Sequence, residues 1–125
     1  MAYKRADSIK RRRRELVSFP EKDRYKSMRD RANKCGLAVM GFSEFVAWSR
    51  LQEKICVYCL MNNEAAKILF GRNLSIDRMD NLKGYLVENI ALACFRCNTV
   101  KSSFLTYDQM MTVASMFLRP KAVVS

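Results

Sequence analysis

Two Cys-x-x-Cys pairs, Cys56/Cys59 and Cys94/Cys97, set the tightest limit on what this chain can fold into. Each spacing lets two thiolates chelate one ion from a tight turn, and four thiolates at about 2.3 Å complete a closed tetrahedral zinc site. The same residues could instead form two disulfides, a redox pair or four buried thiols. The double spacing and an expected reducing compartment favour zinc. The 34 residues between the pairs, 60–93, exceed what a simple zinc ribbon needs, so something is built between the knuckles. With four protein ligands the ion has no open position for water or substrate. The zinc is therefore structural, and any catalysis must use other residues.

The chain of 125 residues contains no histidine, which excludes an imidazole base, a His-ligated metal and a Ser-His-Asp triad supplied by this chain. Its 23 Lys/Arg against 12 Asp/Glu leave a net charge of +11, which points to a polyanionic partner. The charge is uneven: residues 1–34 hold 13 Lys/Arg and 5 Asp/Glu, a net of +8, and residues 35–125 hold 10 and 7, a net of +3. The peak is Lys10-Arg11-Arg12-Arg13-Arg14, five adjacent cations that repel unless neutralised, for which phosphate contact is the expected use. A solvated tail or a localisation signal is the plainer alternative. No apolar run approaches the roughly 18 residues of a membrane span, and no apolar segment follows the basic N-terminus. The expectation is a cytoplasmic protein with no membrane partner.

Local signals divide the rest. A helix is expected from about Pro20, with Tyr25, Met28, Ala32 and Cys35 on one stripe and Gly36 as its stop. Cys35, the fifth cysteine, is read as a core thiol on that stripe. A second helix should follow Ser43 as N-cap, burying Phe45, Trp48 and Leu51. A short helix over 64–70 should close at Gly71, Leu74 to Asp77 reads as a strand, Asp80 to Gly84 as a loop, and Asn89 to Ala93 as the returning strand. A short helix should follow the second knuckle. The last helix begins at Thr106, where Thr106 and Gln109 make a capping box, with Met110, Val113, Ala114 and Phe117 on its inner face.

The segment between the knuckles carries the second signal: Leu74-Ser75-Ile76-Asp77-Arg78-Met79-Asp80-Asn81, then Lys83-Gly84-Tyr85, Glu88-Asn89-Ile90-Ala91-Leu92, and Cys94-Phe95-Arg96-Cys97-Asn98 with Lys101 beyond. Here the chain resembles the HNH endonucleases, the ββα-metal or His-Me finger group, over about residues 52–104. It looks closest to free-standing, phage-type members whose first strand ends in Asp-Arg-x-Asp-Asn. For a phage-encoded protein the location would be the host cytoplasm.

The resemblance implies roles position by position. Asp77 matches the carboxylate that holds a catalytic Mg²⁺ or Mn²⁺, and Asn98 matches the second ligand of that ion. Asn89 matches the asparagine that braces the loop between the strands. Lys101 matches a residue suited to phosphate contact, and Lys83 joins it as a nucleic-acid contact. The family's usual base, a histidine, is Arg78 here. Arginine stays protonated and cannot take a proton from water, although it can hold a phosphate oxygen. Asp80, then Tyr85, then metal-bound hydroxide alone are the candidates for activating water.

The expected fold class is α+β: a small ββα-metal (HNH) core stapled by a four-cysteine zinc site, flanked by N-terminal helices and a C-terminal helix. The expected organisation is a basic arm over 1–19, a helical nucleic-acid-binding segment over 20–54, the zinc-stapled core over 55–105, and a C-terminal helix and tail over 106–125. The expected function is metal-dependent cleavage of DNA, with no small-molecule cofactor. The alternatives are a non-catalytic zinc module that binds DNA or RNA on the same scaffold, and a small basic RNA-binding zinc protein. The last leaves Asp77, Asn89 and Asn98 unexplained.

Overall fold

A computed structural model describes residues 19–120. Helix α1 (Lys22–Cys35) carries Asp23 in its first turn and ends at Gly36, whose φ of 67° is left-handed. The start lies two residues beyond Pro20. Met28 and Ala32 are buried as the stripe requires, but Cys35 is exposed, contrary to expectation. It is the last helical residue. Past it the chain folds back through a bond from the Leu37 N–H to the Ala32 carbonyl, 2.8 Å, so Leu37 packs on the core instead.

Helix α2 (Phe42–Leu51) begins before Ser43, with Gly41 at the cap and the Glu44 carboxylate accepting the Gly41 N–H at 3.4 Å. Phe45, Val46, Trp48 and Ser49 are buried, and Leu51 is not. Two successive steps of three residues drift about 120° around a helix, which carries position 51 off the stripe begun at 45.

Helix α3 (Asn63–Phe70) is capped by the Asn62 side chain, which accepts the Ala65 N–H at 2.8 Å, and stops at Gly71 with φ 69°. Strands β1 (Ser75–Arg78) and β2 (Ile90–Ala93) form an antiparallel pair in the register Ser75↔Ala93, Asp77↔Ala91. Helix α4 (Phe95–Lys101) follows at once, with Cys94 as its N-cap. Helix α5 (Tyr107–Val113) shows the expected capping box, Thr106 Oγ1 accepting from the Gln109 N–H at 3.1 Å and Gln109 Oε1 from the Thr106 N–H at 3.0 Å. The chain then widens into a π-helical turn, Ala114–Leu118. That turn rotates Phe117 out to solvent, against expectation, and lets Leu118 pack on the core.

The order is α+β, helices around a two-stranded hairpin, as expected. The first two helices close over the hairpin's loop through the segment 37–40, where Met40 N–H bonds the Tyr85 carbonyl and Tyr85 N–H bonds the Ala38 carbonyl, both 2.9 Å. A Cβ on Gly84 would lie 2.2 Å from the Ala38 carbonyl oxygen, so this crossing needs glycine. One core runs through the molecule, from Met28, Phe45 and Trp48 across Ile76, Tyr85 and Leu92 to Met110 and Ala114. Among the described residues no helix is long and apolar enough to cross a membrane. Lys10 and Arg11 to Arg14, expected to contact nucleic acid, lie outside the described residues.

Candidate functional site

The two knuckles meet although they come from unlike structures. Cys56 and Cys59 sit in a tight turn, where the Cys56 N–H bonds the Met61 carbonyl at 2.8 Å and Leu60 takes φ 69°. Cys94 and Cys97 flank the first turn of α4. The Val57 N–H bonds the Leu92 carbonyl of β2 at 2.8 Å, which brings the turn against the hairpin. All four sulfurs are buried and lie within 4.8 Å of one another. Cys59 Sγ is 3.7 Å from Cys94 Sγ. A tetrahedron of sulfurs about 2.3 Å from zinc has edges of about 3.8 Å, so the set is compatible with that ion.

The electrostatics agree with a metal. Thiols donated by Cys56 and Cys94 push Cys59 well below the usual thiol range, whereas Cys97, crowded first by Cys56 and then by Cys59 and Cys94, is pushed up. Four sulfurs in one small volume cannot all ionise without a cation among them. Burial opposes the charge on Arg96, but the Cys59 sulfur and its neighbours outweigh burial and hold the guanidinium more firmly charged. Arg96 would thus offset part of the negative charge of thiolates gathered on a metal, while its Nη2 donates to the Leu118 carbonyl at 3.1 Å.

The second constellation lies between β1 and α4. Alternation puts Ser75 and Asp77 on one face of β1, and a spacing of three puts Asn98 and Lys101 on one face of α4. These faces meet. Asn98 Nδ2 donates to Ser75 Oγ at 2.9 Å, and Lys101 Nζ lies 3.5 Å from Asp77 Oδ1. On its other oxygen Asp77 accepts the Tyr58 hydroxyl at 2.5 Å. Burial pushes the Asp77 carboxyl above the usual carboxylate range, opposed by the Tyr58 hydrogen bond and the Lys101 charge. Burial, then the Asp77 carboxylate, pushes the Tyr58 phenol up, so it stays a donor at neutral pH.

Several expected roles change on this geometry. Lys101, expected to meet phosphate, has no exposed surface. Its ammonium is consumed inside by Asp77, the Arg78 carbonyl at 3.0 Å and Asn81 Oδ1 at 2.8 Å. Arg78 spends Nη1 on the Asn81 and Lys83 carbonyls, at 2.7 and 3.0 Å, with its guanidinium 5.4 Å from the Tyr85 ring centre. Tyr85 is buried beneath it, away from the solvent that a base for water would need. Asp80 accepts the Leu82 N–H at 2.9 Å and lines a cavity of about 490 Å³ with Glu88 and Asp108; among the described residues no hydrogen bond joins it to Asp77 or Asn98. Asn89 is buried and spans the loop, accepting the Asp80 N–H at 2.8 Å and donating to the Asp80 and Gly84 carbonyls at 3.0 and 2.9 Å. Lys83 is exposed.

Tyr58 and Ser75 are the site residues that sequence reasoning did not single out. The only signal for Tyr58 is its place inside the first knuckle, between Cys56 and Cys59. Ser75 offers only its alternation with Asp77.

Asn98 turns its amide nitrogen to Ser75 and leaves its carbonyl oxygen without a hydrogen bond among the described residues. Asp77, two residues from Ser75 on the same face of β1, is the one buried carboxylate among the described residues. Two hard oxygen donors, one anionic, suit a small divalent cation that completes its shell with water.

Compared with protein-family models and with curated proteins, the chain matches none. Among solved structures it is similar to the rare-cutting HNH restriction endonuclease PacI, a protein described for its perturbation of DNA. The TM-score is 0.68 and the identity 29%, over 74% of this chain and 72% of that one. The fold is HNH-like, and its four-cysteine cluster is compatible with zinc.

Proposed function

We propose that this chain is a metal-dependent DNA endonuclease of HNH type, hydrolysing or nicking phosphodiester bonds. The observation that carries the reading is the contact of β1 with α4, where Asn98 meets Ser75 and Lys101 meets Asp77, on an HNH-like fold with a four-sulfur cluster. Asp77 and Asn98 would hold a Mg²⁺ or Mn²⁺, which supplies charge for the phosphoryl oxygen and lowers the pKa of bound water. The chain's own contribution is positional. Tyr58 and Lys101 fix the Asp77 carboxylate from within, and Ser75 fixes the Asn98 amide. Arg78 and Asn89 hold the loop 79–84. DNA is the expected substrate of this reading because of the net charge of +11 and the likeness to a DNA-perturbing endonuclease.

One observation favours the second reading, a zinc module that binds nucleic acid without cutting it. Both oxygens of Asp77 already face donors, and among the described residues no other group is paired with them. Supercoiled plasmid with and without Mg²⁺ or Mn²⁺ decides between the two. The variant to use is Asn98→Ala, whose side chain has only Ser75 to lose. Nicking should fall at least about tenfold in this variant while zinc content and melting temperature hold. A wild type that binds plasmid yet leaves it supercoiled with every divalent ion would establish the binding module instead.

A further inference from the structure

Two clefts share a wall. One, about 300 Å³, lies between α1 and β1 and takes in Arg24, Arg31, Asn73 and Ser75. The other, about 330 Å³, runs from Arg31, Asn73 and Ser75 past Arg72 to Asn98 on α4. Because Arg31, Asn73 and Ser75 line both, the clefts adjoin and together make a trough across the start of β1, with Asn98 at the far end. Its walls carry three arginines against one acid, Asp23, at the α1 end. Arg24 and Arg31 lie two turns apart on one side of α1, with Met28 buried between them. Arg72 lies over the Phe95 ring, its guanidinium 4.4 Å from the ring centre, a stack that holds the cation in place at little entropic cost. Cations spaced along a trough suit a row of phosphates better than one small anion.

We propose that this trough is the path of one DNA strand, whose phosphates pass Arg24, Arg31 and Arg72 and reach Asn98 at its end. The path rests on the trough's shape and charge, and only its end point rests on the endonuclease reading. It places backbone contacts on Arg72, Asn73 and Ser75, outside the basic arm and the first two helices.

The test uses the full zinc-loaded chain and a fluorescent DNA duplex with no added divalent ion, so binding is read without cleavage. Affinity is measured across a salt series for the wild type, Arg31→Ala, Arg72→Ala and Arg29→Ala. Arg29 is the control: it lies on α1 beside Asp30, at 3.8 Å, and lines neither cleft. The slope of log K against log salt should drop by about 0.9 in each trough variant and stay unchanged in the control. Wild-type slopes in both trough variants, with one zinc per chain retained, would overturn the path, as would a wild type that does not bind the duplex. If the trough variants lose slope while wild type never nicks plasmid, the path stands and the endonuclease reading is what fails.

Discussion

Asp77 is held from inside by two donors, so replacing it tests stability as well as chemistry. Lys101 has no exposed surface, and Asp77 is its only anionic partner among the described ion pairs. Asp77→Asn therefore strands a buried ammonium, and removing one member of such a pair costs about 3 kcal/mol or more. The double variant Asp77→Asn/Lys101→Met should recover much of that loss, because neither charge is then left buried. Thermal unfolding of the two single variants and the double variant checks this; additive losses would show that the pair is not coupled. The consequence for catalysis is practical. An inactive Asp77 variant proves nothing about a metal ligand until its fold is accounted for, whereas Asn98 carries no such burden. Arg78 teaches a related lesson. It stands where a base is expected, yet its Nη1 is committed to the carbonyls of the loop that follows. Substituting it disturbs the loop before it disturbs any reaction.

At the scale of elements, the four-cysteine cluster joins a turn to a helix start, and a zinc ion there would tie the two together. Apparent binding energies of such thiolate sites are roughly 10–16 kcal/mol, comparable with or larger than the stability of a small domain. Withdrawing zinc should melt α3, α4 and the hairpin together, read as a loss of helical circular dichroism. Cys59→Ser should do the same, whereas Cys35→Ser should change little because Cys35 is exposed. The pH sign follows from the ligand chemistry: zinc binds thiolates, and protons compete with it for them as pH falls. Acidification from neutrality should therefore release zinc and helicity together, read by metal analysis and circular dichroism in parallel. The elements themselves were legible because their signals are local: the Gly36 and Gly71 stops, the Thr106 box, the two Cys spacings and the alternation around Asp77. The contacts that define the site were not, because they join residues far apart in sequence. Tyr58 and Asp77 are 19 residues apart, and Lys101 and Asn81 are 20 apart. The exposure of Leu51 and Phe117 was hidden for another reason, since a drifting stripe and a π turn change which side faces in without changing the residue pattern.

For the whole molecule, the net charge of +11 is set mainly by residues 1–34. Replacing Arg11 to Arg14 with Ala should lower the slope of log K against log salt by up to about 3.6 on duplex DNA, to a similar degree whatever the DNA sequence, because phosphate contacts position without specifying. A salt titration on two unrelated duplexes checks this; an unchanged slope would show the run to be a solvated tail. The place of the staple along the chain has a further consequence, for the order of folding. An ion held by the four cysteines would bridge Cys59 and Cys94 across 34 residues, and closing a loop of that length costs about 3 kcal/mol of chain entropy. β1 and β2 both lie inside that loop. A chain that captures zinc early begins its search already ring-closed, and its strands need only find each other within the ring. The metal then acts on the rate of folding as well as on its end point, through the unfolded chain that it constrains.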